Sequence, residues 1–374
     1  MINLRRPLAA GSIIVNLTVF YLLELLTSGL LNFTPMFRTA VGIGAEIREI
    51  KGTPAKIAII EIIDESSSWN PYTHAMMTVV CYARAQNYDF HVLVDTKFFN
   101  VCRQKKKTFL QHCIVAYVLK SYDYVLLIDS NMGVVNPTRR IDEYIDDGVD
   151  VTFYETFRDG EIMADSYLVK NSSRAIGFLN ELADYEFVLP DAFHDESSAA
   201  VHAYLADKFP PSDKANMTLC RRIFLQRLLK ENVRARDITL YQVCVRRAMF
   251  VHDFYSTGPV KILPRGLGWS RDSWLTNSKW SERRDFMLNY WNETNRRIYT
   301  KTPVLLGASE SDTWFNPLAG QIDITRCKDG NLSWNYDPHL VEDQVQIDRR
   351  LQRLAVEAEK KRIALLKFMD TVFR

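Results

Sequence analysis

The run YVLLIDSNMGVVNP, residues 124–137, holds the residues best suited to chemistry. It is apolar up to Ile128 and reads as a strand, so Asp129-Ser130-Asn131 falls at a strand exit. A strand ending in Asp-x-Asp delivers two carboxylates to a sheet edge, where they can hold a divalent metal on a nucleotide diphosphate. Such a metal neutralises the charge that develops on a departing diphosphate when the bond to an anomeric carbon breaks. Here the second position is Asn131, whose carbonyl can ligate a hard cation but brings no charge. The plainer reading is a strand-to-turn exit in which Asp, Ser and Asn serve the turn.

Other candidates are less specific. Asp64 and Asp95 each follow a short apolar run, at the position where open α/β sheets bind ligands. His194 and His202 stand eight apart and cannot share a helical turn; each is either a sugar or phosphate contact or a core or capping histidine. Asp195 and Glu196 can act as site carboxylates, or can favour the positive N-terminal end of the helix that follows. Arg271 and Asp272 in WSRDSW can clamp a diphosphate or pair with each other. Trp269, Trp274 and Trp280 can stack on a sugar ring or pack in the core.

The elements that position these residues alternate. KIAIIEII (56–63), FHVLVD (90–95) and YVLLID (124–129) read as strands, and residues 74–87 and 105–121 between them carry apolar side chains at helical spacing. Strand, helix, strand, helix, strand within about 75 residues predicts an α/β protein with a parallel sheet wound in the Rossmann manner. Residues 151–155 and 163–170 are strand-like, 174–185, 197–209, 216–231 and 238–254 read as helices, and the Gly- and Pro-rich stretch 258–268 as a loop or strand connection. From residue 338 onward Ile347, Leu351, Leu354, Ala358, Lys361, Leu365, Phe368 and Val372 fall at heptad spacing. That seam serves either marginal pairing into a homodimer or docking on the protein's own domain.

Lys plus Arg total 47 against 45 for Asp plus Glu, a net charge of +2, which leaves no excess to neutralise a nucleic-acid backbone. No GxSxG, HExxH, Walker loop or GxGxxG occurs, so hydrolase, zinc-protease and NTPase readings have no support. Residues 8–31 form an apolar segment long enough to cross a bilayer, preceded by Arg5 and Arg6 and interrupted by Glu24. This predicts a signal anchor with residues 1–7 cytosolic, 32–54 as a stem, 55–337 as the lumenal body and 338–374 as a C-terminal helix. Thr27-Ser28-Gly29 keeps open a cleaved signal peptide, and a buried soluble helix is the third option. Sequons at Asn32, Asn171, Asn216, Asn292 and Asn331 agree with a lumenal body. The six cysteines can make up to three bridges there, although Cys81, Cys113, Cys220 and Cys244 lie in apolar helical patterns and read equally as buried thiols. The expected address is a single-pass type II membrane protein of the Golgi or, after cleavage, a secreted protein.

The ordered runs YVLLIDSNMGVVNPTRRIDEYI, DVTFYETF, EIMADSYLVKN, FLNELADYEFVLP, FHDESSAAVHAYL and GWSRDSWLTNSKW resemble the nematode-expanded family catalogued as domain of unknown function 273, over about residues 55–338. That family in turn resembles glycosyltransferases of the GT-A fold, near the fungal galactosyl- and mannosyltransferases. The resemblance implies a mixed Rossmann-type sheet flanked by helices, a UDP- or GDP-sugar donor, a glycan or glycoprotein acceptor, and Mn2+ or Mg2+ as cofactor. It implies Asp129, Asn131 and Asn289 as metal ligands, and Asp129, Glu196 and Ser197 as catalytic positions. His194, His202, Asp64, Asp95, Arg271, Asp272 and Trp274 are the substrate-binding candidates. The chain departs from the family pattern where Asn131 replaces an Asp, Ser197 replaces an Asp, and Asn289 replaces a His. These changes together imply weakened, altered or lost metal-dependent catalysis. A catalytically silent binding module is therefore the competing class, and a scaffold acting through the C-terminal helix the third.

Overall fold

The computed structural model describes residues 55–65, 73–157, 160–209, 214–229, 233–249, 259–291, 317–320, 322–329 and 334–373. The apolar segment at 8–31, the stem and three sequons (Asn32, Asn292, Asn331) lie outside them. Among the described residues no helix is long and apolar enough to cross a membrane.

The isoleucine-rich run becomes strand β1 (Ile57–Ile63), with all seven residues buried. A strand buried on both faces must sit inside a sheet covered on both sides. Its neighbours are β2 (Asp89–Val94) and β3 (Tyr124–Ile128), both parallel to it. Helix α1 (Thr73–Gln86) connects β1 to β2, and α2 (Lys107–Val118) connects β2 to β3, as the alternation predicts. Alternate side chains divide between two cores. Ala58, Ile60 and Ile62 join α2 on one face, while Ile57 and Ile59 join α1 on the other.

Beyond β3 the sheet stops being parallel. The remaining strands are β5 (Val151–Tyr154), β6 (Tyr167–Lys170) and β7 (Val260–Leu263), in the order β2-β1-β3-β6-β5-β7. Strand β6 runs antiparallel to both β3 and β5. The link from β5 to β6 contains no helix, and a connection without a crossover helix returns the chain antiparallel. A second, three-stranded sheet packs β4 (Gly133–Val134), β9 (Met287–Asn289) and β8 (Ser270–Asp272) beside the end of β3. The result is a mixed sheet flanked by helices.

Helices α3 (Ser173–Asp184), α4 (Ser197–Lys208), α5 (Lys214–Ile223) and α6 (Ala235–Met249) cover the α2 side. Ser172 caps α3, its hydroxyl accepting from the Ala175 N–H at 3.0 Å. All six cysteines pair, as Cys81–Cys327, Cys102–Cys113 and Cys220–Cys244, which corrects the buried-thiol reading. Each helical cysteine faces a partner that sequence spacing could not indicate.

The C-terminal helix α7 (Gln344–Val372) lies on the body. Ile347, Leu351, Ala355 and Met369 are buried, Leu365 and Phe368 pack against the larger core, and ion pairs Arg284–Asp348 (2.7 Å) and Arg247–Asp370 (2.9 Å) hold both ends. Of the heptad positions, Ile347 and Leu351 are covered by the protein's own domain and Leu365 and Phe368 lean on it, whereas Lys361 and Val372 are exposed. Of the two described sequons, Asn171 is exposed, and Asn216 accepts from Arg247 at 2.6 Å.

Candidate functional site

Strand β3 ends where a turn begins. Asp129 Oδ1 accepts from the Asn131 backbone N–H at 2.7 Å and from the Asn131 side-chain amide at 2.8 Å, while the Asp129 carbonyl accepts from Met132 N–H at 2.8 Å. The turn throws the chain into β4, which pairs antiparallel with β9 (Gly133 with Leu288, Val134 with Met287). A Cβ on Gly133 would collide with the Trp291 ring, so only glycine lets this turn lie against it. The Trp291 N–H then donates to the Asn131 carbonyl at 2.8 Å. Strand β8 lies parallel to β9 and sets Asp272 beside Asn289, whose amide approaches Asp272 Oδ1 at 3.5 Å. Asp129, Asn131, Asn289 and Asp272 therefore come from three strand ends at one edge.

Two acidic residues that sequence reading left unassigned join them. The β3–β6 register pairs Leu127 with Tyr167, and just beyond that pair Asp165 lies within the field of Asp129. Asp165 is held by Gln111 of α2 (Nε2 donating, 2.8 Å) and by Ser197 at the start of α4 (Oγ donating, 2.8 Å). Burial pushes its carboxyl up, Asp129 adds to this, and Gln111, Ser197 and Lys107 oppose it. Glu61 stands in the middle of the sheet, aligned with Ile128 of β3. It is fully buried, and neither carboxyl oxygen has a hydrogen bond. Burial holds it well above the ordinary carboxylate range, Asp129 acts in the same direction, and Lys107 acts against them. Nearby, burial holds the Tyr154 hydroxyl well above its ordinary value; Asp272 and Asp129 act in the same direction, and Ser270 and Ser166 against them.

Buried polar atoms in folded proteins are almost always paired. Here both oxygens of Glu61, aligned with the last residue of β3 and within the field of Asp129, lack a hydrogen bond. A sheet edge rich in acceptors, with Lys107 as the nearby cation, suits a ligand that brings positive charge or many hydroxyl donors.

The remaining candidates are placed as follows. Arg271 faces away from a ligand: it forks onto Asp285 at 2.7 and 2.9 Å and also donates to Thr276 (2.8 Å) and to the Lys279 carbonyl (2.9 Å). Its carboxylate partner is Asp285, and from Asp272 only the backbone carbonyl accepts, at 3.5 Å. Asp95 is buried and accepts from Thr96 and Glu65 N–H groups at 2.7 and 3.2 Å, whereas Asp64 is half-buried just past β1. His202 is enclosed in α4, with Nδ1 against the Ser198 carbonyl at 2.7 Å and Nε2 unpaired; burial brings it down to about 4. His194 lies against the Glu186 carbonyl (3.2 Å) and edge-on to Phe109. Asp195 pairs with Lys106 at 3.5 Å, and Glu196 precedes α4 without capping it through its side chain. Trp269 and Trp280 are core residues, while Trp274, two residues past Asp272, is half-buried.

As a cation shell the trio Asp129, Asn131 and Asn289 fits poorly. The Asn131 amide N–H already faces Asp129, and Asn289 Oδ1 accepts from the Tyr290 N–H at 2.8 Å. Among the described residues no three His, Cys, Asp or Glu side chains are grouped to hold a metal.

Several solved structures align with parts of the chain. One is a glycosyltransferase involved in the glycosylation of the major capsid of PBCV-1 (15% identity, 41% of this chain and 79% of that chain, TM-score 0.33). Another is the catalytic domain of Drosophila beta1,4-galactosyltransferase 7 in complex with xylobiose (11%, 34% and 52%, TM-score 0.24), and a third is A197 from STIV (10%, 34% and 68%, TM-score 0.22). No curated protein matches the chain. Residues 79–305, more than half of it, match the family described as Protein of unknown function, DUF273, and the chain belongs to that family.

Proposed function

We propose that the protein is a sugar-transferring enzyme of the secretory pathway, using a UDP- or GDP-sugar donor and a glycan or glycoprotein acceptor. The observation that carries this reading is the acceptor-rich edge around Asp129, at the carboxyl ends of β1 and β3, where open α/β sheets bind nucleotides. In it Asp129 is the fixed anionic contact, Asp272 lines the opposite side, and Trp274 stacks on a sugar ring. Ser197 acts through the carboxylate it holds, and Glu196 is the next acid along the wall. The three disulfides support synthesis in an oxidising compartment, in agreement with a membrane anchor at 8–31 and lumenal sequons.

A thermal-shift screen of the full chain against UDP- and GDP-sugars, with and without manganese, tests the reading. Stabilisation by one nucleotide sugar over the others is expected, and none by any of them overturns it. The inward-turned amides of Asn131 and Asn289 favour a second reading, a module that binds the donor and transfers nothing. Release of free UDP or GDP on incubation with the stabilising donor separates the two.

A further inference from the structure

We infer that Asn171 carries an asparagine-linked glycan and that Asn216 does not. The inference rests on the reading of the protein as one made in the secretory pathway, and it names the modification that compartment leaves on the body. Both residues begin an Asn-x-Ser/Thr sequence, Asn171-Ser172-Ser173 and Asn216-Met217-Thr218. The sequence ranks them equally, but the backbone separates them. Ser172 is extended (φ −142°, ψ 155°), so the side chains on either side of it point the same way. Ser172 itself turns toward the body, its hydroxyl capping α3 through the Ala175 N–H at 3.0 Å and donating to Asp150 at 2.7 Å. Asn171 and Ser173 are left exposed together, the amide and the hydroxyl that a glycan-transferring enzyme must engage at once.

The Asn171 amide keeps a hydrogen to give. One donates to the Tyr122 carbonyl at 2.8 Å, and an amide carries two. In transfer from a lipid-linked oligosaccharyl diphosphate, Nδ2 bonds to the anomeric carbon and loses its other hydrogen as a proton, while the bond from that carbon to the diphosphate oxygen breaks and its electron pair leaves with the lipid diphosphate. The Tyr122 bond survives, and the Asn171 N–H on the Asp123 carbonyl at 2.8 Å also fixes the root of the glycan. Lys170 pairs with Tyr124, the first residue of β3, so the glycan leaves from the end of the sheet opposite Asp129 and clears the candidate site. Asn216 lies instead in helix α5, where residues two apart face different sides, and Thr218 donates its hydroxyl back to the Lys214 carbonyl at 2.8 Å. Asn216 Oδ1 accepts from Arg247 at 2.6 Å, and the same guanidinium holds Asp370 of α7 at 2.9 Å. A glycan on that amide would crowd the contact that ties the C-terminal helix to the body.

The test is the full chain expressed in animal cells and deglycosylated enzymatically in heavy-oxygen water, which marks each formerly glycosylated Asn as Asp for peptide mass spectrometry. The mark is expected at Asn171 and not at Asn216. Asn171→Gln and Ser173→Ala should each remove the mass of one glycan from the intact protein, and Ser173→Thr should keep it. Ser173→Ala leaves the Asn171–Tyr122 bond in place, which separates loss of the glycan from loss of fold. An unmarked Asn171 overturns the inference, and so does a mark at Asn216. Glycans on Asn32, Asn292 or Asn331 with Asn171 bare sink the inference and leave the secretory reading standing. A protein with no glycan at all removes that reading as well.

Discussion

Arg271 and Asp272 are consecutive residues of β8 that belong to opposite kinds of polar network. Arg271 enters a closed one. Its guanidinium forks onto Asp285, which also accepts from the Ser281 N–H and from Arg284, each at 2.9 Å. Burial alone would push the Asp285 carboxyl up, but Arg271 first and then Arg284 outweigh it and hold it below its ordinary value. Asp272 acts on Tyr154, as does Asp129, and Asp129 acts also on Glu61, whose two buried oxygens have no hydrogen bond. A satisfied buried network fixes a loop. An unsatisfied one costs stability at every orphan atom, and a protein keeps it where a ligand completes it.

The largest test of that contrast is Arg271→Met, which leaves Asp285 buried with Arg284 as its remaining side-chain cation. Breaking one partner of a buried pair costs about 3–5 kcal/mol, and urea denaturation should show a loss of that size. A loss below about 1 kcal/mol, the value of a surface pair, would show that the closed network is not architectural.

Acid should distinguish the two regions next. His112, beside Gln111 on α2, is brought down to about 3 by burial, and His202, on α4 with Ser197, to about 4. Their folded values lie below the ordinary 6.5, so the unfolded chain binds more protons between them, and stability falls as pH drops from about 6.5 toward about 4. Each histidine contributes on the order of 3 kcal/mol to that loss, at 1.36 kcal/mol per pH unit. Asp285 has the opposite shift. Its contribution is present above the unfolded carboxylate value and is lost only as pH falls through its lower folded value. Hydrogen exchange at pH 4.5 should therefore open α2 and α4, the wall that holds Asp165, before β8. Simultaneous opening would show that the two regions are one cooperative unit.

How much of this was legible in the sequence follows from the range of each signal. β1 and β3 were visible because fully buried strands read as unbroken apolar runs, and Asp129 because it ends one. Glu61 was present in the same run but was absorbed into it. A single acid among five isoleucines of IAIIEII is costly to bury, and that cost was the available signal. Asp165 was hidden for a different reason: its place near Asp129 depends on the antiparallel return of β6, set by pairing between residues some forty positions apart. The small sheet was invisible because strands of two or three residues have no periodicity. The cystine Cys81–Cys327 closes a separation of 246 residues, which no local pattern encodes.

Glu61 gives the third test. Replacing it by methionine, of similar length and without charge, removes two orphan oxygens from the core. Glu61→Met should raise stability by about 1–3 kcal/mol, the penalty of an unsatisfied buried group, while weakening manganese-dependent donor binding. Such an opposition marks a residue kept for function at the expense of stability. A destabilised variant would place Glu61 with the closed network instead.

The smallest effect belongs to Asn131, and its sign carries the information. The Asn131 amide donates to Asp129 Oδ1 at 2.8 Å, doing part of what a cation would do for that oxygen. Asn131→Asp replaces this donor by a second negative charge while the backbone N–H of residue 131 still bonds Asp129. Without metal the variant should therefore be less stable, by about 1 kcal/mol, the net value of one hydrogen bond. Manganese should reverse the order, because the added carboxylate attracts the cation and binding to the folded state alone stabilises it as RT ln(1 + [L]/Kd). A thermal melt of the natural and Asn131→Asp proteins, each with and without manganese, measures both signs. Destabilisation that manganese does not relieve would place the cation away from Asp129. A variant stable in both conditions would mean that the Asn131 amide contributes nothing to holding Asp129, and the turn would then rest on its backbone bonds alone.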